Sequence, residues 1–185
     1  MKSKKIDFEN VTTLKKALVL IIFFATILGG LISGIIGIND SENYLYPYFF
    51  RFTFGIIGFM ASIYFTYKVK SYVLLNPIMQ SNYSNLSIMF ALGIAGTFIL
   101  VGSSLNNSTS ELSNCDRYSV KEKIYIQDGR KTPEENILIV DINGGDQKLF
   151  CKHNYWNSIE TNQKITVCVY KSKIGFDYVK LPNDF

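Results

Sequence analysis

Between Ala17 and Ile38 the chain reads ALVLIIFFATILGGLISGIIGI, without one charged residue. A bilayer's hydrocarbon layer is about 30 Å thick and takes about 20 apolar residues wound as a helix, because no backbone N–H or C=O can be left unpaired there. Two further stretches meet that requirement. Tyr48–Tyr67 (YFFRFTFGIIGFMASIYFTY) carries Arg51 as its one charge, and Leu86–Leu105 (LSIMFALGIAGTFILVGSSL) carries none. The reading is three transmembrane helices over 17–38, 48–67 and 86–105, behind a basic arm, 1–16. A cleaved secretory signal is the rival for the first run, whose approach holds Lys2, Lys4, Lys5, Lys15 and Lys16. That run far exceeds the 7–15 residues of a signal's apolar region and ends in no small-x-small cleavage pattern, so an uncleaved helix is expected.

The chain holds 19 Lys+Arg and 15 Asp+Glu; 11 of each fall in 106–185, so the membrane half supplies the whole net charge of +4. This balance marks membrane flanks. A nucleic-acid partner is not expected, since that would need Lys and Arg clustered on a folded face. Lysines crowd the N-terminal arm, the first loop (39–47) has only Asp40 and Glu42, and the second loop has Lys68 and Lys70. The positive-inside rule then predicts a multi-pass protein of the plasma or inner membrane, with a cytoplasmic N-terminus and an extracytoplasmic C-terminal domain. Arg51 lies near the start of its span beside Tyr44, Tyr46 and Tyr48, where its side chain can reach the headgroups; it is read as an interfacial charge.

Small residues recur at helix-packing spacing: Gly30 and Gly34, Gly58 and Ser62, Ala91 and Ala95. Such pairs let helix backbones approach closely where no hydrophobic effect drives association. They predict a compact three-helix bundle, and would equally serve a homo-oligomer. Tyr72–Met79 is a short apolar patch interrupted by Pro77, expected to lie along the inner interface.

After Leu105 the run Asn-Asn-Ser-Thr-Ser-Glu-Leu-Ser-Asn reads as a polar linker, 106–116. Period-2 and β-branched runs follow, predicting strands at Tyr118–Gln127, Ile137–Ile142, Gln147–His153, Lys164–Tyr170 and Phe176–Leu181. Turns fall at Asp128-Gly129, at Asn143-Gly144 and near Gly175, with a short helical turn at Tyr155–Ile159. Residues 117–185 are thus expected to form a small all-β domain, a five-stranded antiparallel barrel or sandwich, outside the membrane. Cys115, Cys151 and Cys168 all lie in this half. In an oxidising compartment Cys151 and Cys168, on neighbouring predicted strands, would pair.

No catalytic, cofactor or metal site is expected. His153 is the only histidine; in Cys-Lys-His it lacks zinc-ligand spacing and has no second histidine for a triad. Asp141 has no partner carboxylate at a defined spacing. Neither a P-loop nor GxGxxG occurs. Tyr155 and Trp156, with Tyr118, Tyr125, Phe150 and Tyr170, form a candidate aromatic surface.

The ending KITVCVYKSKIGFDYV, Lys164–Val179, preceded by Trp156 and Ile159, resembles the last two strands of small β-domains in uncharacterised bacterial membrane proteins. The resemblance covers about 25 residues and implies a fold type and an envelope setting, without an activity. These readings make the chain a non-enzymatic envelope binding or scaffold protein whose partners are the lipid bilayer and another envelope protein. Two other classes compete: an immunity-type protein that neutralises a membrane-targeting toxin, and a subunit of a transporter or channel. The last is disfavoured by the lack of a buried charge relay.

Overall fold

The computed structural model describes residues 13–73, 81–126, 134–142 and 144–182. Most of the basic arm, most of the Tyr72–Met79 patch, the Asp128-Gly129 turn and Asn143 lie outside them. Three helices are long and apolar enough to cross a membrane: α1 (Thr13–Asp40), α2 (Pro47–Val73) and α3 (Tyr83–Ser108). Pro47 opens α2 where a helix has no use for an N–H. Five antiparallel strands and one short helix follow: β1 (Ser110–Ile126), β2 (Glu135–Ile142), β3 (Gly145–Phe150), α4 (His153–Ser158), β4 (Lys164–Ser172) and β5 (Tyr178–Lys180). The chain forms two compact units. One holds the described residues up to Ile38 together with Arg51–Gly102. The other holds Asn39–Phe50 and the residues from Ser103 onward.

In the helical unit many large apolar side chains face outward; Ile21 and Phe52 are each 68% exposed. Water would not tolerate so continuous an apolar surface, whereas lipid tails solvate it. Association combines a small buried cluster of Phe23, Ile27, Phe90 and Ile94 with backbone proximity, and α3 supplies the partner for both other helices. A Cβ built on Gly30 would lie 2.1 Å from the Gly93 carbonyl oxygen, and one on Gly34 3.1 Å from the Gly96 Cα. On the α2 side, a Cβ on Gly58 would lie 2.6 Å from the Ala95 Cα. Ser62 is buried, its hydroxyl donating to the Phe59 carbonyl at 2.6 Å. Gly30, Gly34, Gly58 and Ala95 thus stand at close backbone approaches within one chain, while Ser62 and Ala91 line a groove between α2 and α3. Arg51 donates to the Ile38 carbonyl at 2.9 Å, placing a cation on the C-terminal turn of α1, where the helix dipole favours it.

The second unit begins without a linker. The polar run after Leu105 was expected to be one, yet α3 continues to Ser108 and β1 starts at Ser110. The hydroxyls act as caps instead. Ser108 and Thr109 donate to the Leu105 carbonyl at 3.0 and 2.8 Å, and Ser110 to that of Asn106 at 2.5 Å, satisfying acceptors that a helix end leaves free.

The sheet order is β3-β2-β1-β4-β5, curled into a half-barrel. β1 creates the curl. Its first half pairs with β4 and its second half with β2, with a register shift in each ladder, between Leu112 and Asn114 and between Val120 and Glu122. Such bulges bend a strand and raise its twist. Val120, Leu138, Val140, Leu149, Val167 and Val179 are nearly or fully buried and form the heart of the core. Ile142 pairs with Gly145, and Gly144 takes φ +83°, a conformation glycine adopts without strain.

The first loop belongs to this unit. β3 and β5 are the sheet's two edges, and the single 3₁₀ turn Ser41–Asn43 touches both. Tyr44 bridges to Tyr178 on β5, and the Leu45 N–H donates to the Asp177 carbonyl at 2.9 Å. From β3, the Gln147 side chain donates to the Tyr44 carbonyl at 3.1 Å. A segment from between the first two helices therefore covers the edges that the half-barrel leaves open.

The disulfide differs from the expected one. Cys115 and Cys168 are bonded, and Cys151 is a thiol. Strands β3 and β4 are consecutive in sequence but separated by β2 and β1, whereas Cys115 stands directly opposite Cys168 in the β1–β4 ladder. With the two cysteines 53 positions apart in sequence, the chain-entropy argument assigns the bond about 4 kcal/mol. The double variant C115S/C168S is expected to lose about that much. Denaturant unfolding followed through Trp156, the only tryptophan, measures it. Peptide mapping without reductant should recover Cys115 joined to Cys168, and a Cys151–Cys168 peptide would contradict the fold.

Candidate functional site

Several titratable groups of the sheet unit are engaged with one another. Lys121 on β1 lies 2.8 Å from Asp141 on β2 and 2.6 Å from Asp146 on β3. Its hydrogen bond holds the Asp141 carboxyl below the usual range, aided by the Gly144 N–H at 2.9 Å. A carboxylate stabilised as the anion, with a lysine between it and its neighbour, is a poor proton shuttle. His153 Nδ1 sits 2.7 Å from the Glu134 carboxylate and 3.1 Å from the Asn136 side-chain oxygen, both acceptors, so this nitrogen carries the proton. The Cys151 thiol points to the Asn136 carbonyl at 3.6 Å. Among the described residues, no group of three His, Cys, Asp or Glu side chains is placed to hold a metal.

The aromatic residues are sorted by the fold into separate places. Tyr155 and Trp156 are both half-buried against the core, so Tyr155 offers little surface. Trp156 is anchored by its indole N–H, which donates to the Ile137 carbonyl at 3.2 Å. Tyr118 also packs on the core, and Tyr170 stacks on Tyr178 with centroids 4.9 Å apart. What gathers around Trp156 is a different set. Tyr125 is 5.6 Å and His153 6.3 Å from its ring, and Tyr125 and His153 are 5.8 Å apart. The Lys123 ammonium stands 4.1 Å above the indole and donates to the Ile159 carbonyl at 2.5 Å. Tyr125 and Ile126 remain 44% and 38% exposed.

The elements explain this grouping. Lys123 and Tyr125 are two apart on β1 and so share a face. α4 is too short to hold itself as a helix, and the docking of Trp156 on β2 brings His153 beside them. The sequence reading missed Lys123, His153 and Ile126. The signal available was the period of β1, which aligns Lys123 with Tyr125. The result is a rigid surface of three rings with one cation fixed over the middle one. It can stack on planar or apolar groups and offer hydrogen bonds, the composition found at protein-binding hot spots.

Comparison with protein-family models, curated proteins and solved structures finds no match for this chain. Its chemistry is therefore argued from the residues alone.

Proposed function

We propose that this membrane protein is a non-enzymatic envelope component that binds or scaffolds another envelope protein through its sheet domain. The observation that carries the reading is the Tyr125–His153–Trp156 surface with Lys123, a preformed and partly exposed aromatic patch. The orientation proposed is N-terminus in the cytoplasm and sheet domain outside, at the plasma or inner membrane. The lysine distribution supports it, as does the disulfide, which is a feature of oxidising compartments.

A photo-crosslinking residue placed at Tyr125 of the full chain, in its native membrane, tests the reading. The expected result is a discrete adduct absent when the same residue is placed at Leu112, exposed on β1 in its β4-paired half. Identical patterns from the two positions would refute it.

A further inference from the structure

The helical bundle is tight at one end and open at the other. Contacts between α2 and α3 are made where glycine or alanine removes bulk, at Gly58 against Ala95 and at Gly102 against the Phe54 ring. Toward the C-terminal end of α2 and the N-terminal end of α3 a groove of about 430 Å³ lies between the two helices, within the ordinary range for small-molecule sites. Its chemistry is graded along its length. Toward the middle of the helices it is lined by Ile63 of α2 with Ile88 and Leu92 of α3; toward the C-terminal end of α2 it holds Tyr83 and Lys70. The Lys70 ammonium stands 5.7 Å from the centre of the Tyr83 ring. No Asp or Glu occurs between Asn43 and Ser110, so neither α2 nor α3 supplies a counter-charge. A second groove, about 580 Å³, lies around Phe23, Phe90 and Phe98, but its lining, apolar apart from Thr26 and Thr97, holds no charged side chain and identifies no headgroup.

We propose that the α2–α3 groove is a binding site for an anionic phospholipid, with the phosphate at Lys70 and one acyl chain between Ile63 and Ile88. A cation at the mouth of an apolar slot on membrane-spanning helices complements an amphiphile with a negative head. Desolvated hydrocarbon lies where the chain would lie, and the ammonium donors stand where the phosphate would stand. A zwitterionic lipid fills the same slot but gains less from the lysine. A free phosphate gains nothing from the slot.

The test uses the full chain in detergent and native mass spectrometry, titrating dioleoyl phosphatidylglycerol, dioleoyl phosphatidylcholine and inorganic phosphate. The glycerol lipid should bind about fivefold more tightly than the choline lipid, the ratio that one interfacial lysine gives, and inorganic phosphate should not compete. K70Q should erase that preference. K68Q should retain it, because Lys68 lies over the Tyr64 ring and not in the groove. I63W and I88W, at positions 54% and 58% exposed and so compatible with folding, should weaken both lipids several-fold by filling the slot. Equal affinity for the two lipids, competition by inorganic phosphate, equal losses from K68Q and K70Q, or unaltered binding in both tryptophan variants would each overturn the assignment.

Discussion

Leucine at position 30 is expected to separate α1 from α3. Even the Cβ would lie 2.1 Å from the Gly93 carbonyl oxygen, and the obstacle is backbone, which cannot rotate aside. Overpacking a fitted interface costs about 1–3 kcal/mol, and more when neither side can yield. A loss of about 3 kcal/mol or more is anticipated for G30L, with a smaller one for G30A. Gly96 faces the same seam from α3, its Cβ falling 2.3 Å from the Gly30 carbonyl oxygen, so G96L should be equally damaging. Gly29 and Gly55 have nothing within 4 Å of a built Cβ. G29A and G55A should be neutral or slightly stabilising, since alanine is the better helix former. Thermal melting of the detergent-solubilised chain, followed by helical circular dichroism, ranks the four positions. A wild-type melt for G30L would mean that the α1–α3 contact does not hold the bundle.

The second large effect is expected at Tyr44. It is 1% exposed, its ring 4.7 Å from Phe50 and 5.7 Å from Tyr178, and its hydroxyl reaches the Ser103 hydroxyl at 3.1 Å and the Asn107 side chain at 3.2 Å. Truncation of a buried aromatic costs about 3–5 kcal/mol, so Y44A should open the sheet unit to protease and shift its unfolding, read through Trp156, by that amount. Y44F keeps the ring and should lose about 1 kcal/mol for its hydrogen bonds. Burial pushes the Tyr44 phenol up from its ordinary value of 10.0. A folded value above the unfolded one gives stability that is fully present below about pH 10 and lost as the pH climbs past the folded value. Wild type should therefore weaken in alkali more steeply than Y44F. If Y44A resists protease as wild type does, the loop is an ornament on the sheet and not part of it.

What could be read in advance followed the range of the signal. Uncharged runs such as Ala17–Ile38 identify spans because hydrocarbon imposes its condition on every residue in turn. The strands were legible because Ile165, Val167 and Val169 alternate, and a sheet face demands that alternation locally. The polar run after Leu105 misled because hydroxyl-rich composition suits linkers and helix caps alike; only the helix end shows which use is made of it. The disulfide misled because chain order was taken for spatial order, while β1, begun earlier than expected, lies between β2 and β4. Tyr44 was read as an aromatic of the membrane boundary. Nothing near it in sequence reports that its hydroxyl partners and the Tyr178 ring stand about 60 to 130 residues later. The candidate surface was half legible. Trp156 was found, and Lys123 and His153 gain meaning only once α4 is docked on β2.

Because Asn39–Phe50 is part of the sheet unit, that unit has no single boundary at which it can be cut from the rest of the chain. Its earliest piece is synthesised before α3 exists and β5 only after β4, so Tyr44 waits through the making of two helices for Tyr178. The loop must meanwhile be on the same side of the bilayer as the later strands, which makes correct insertion of α1 and α2 a condition for completing the sheet. Transplanting residues 106–185 onto a different anchor would leave that piece behind. For this chain the loop between the first two helices is an ingredient of the sheet unit.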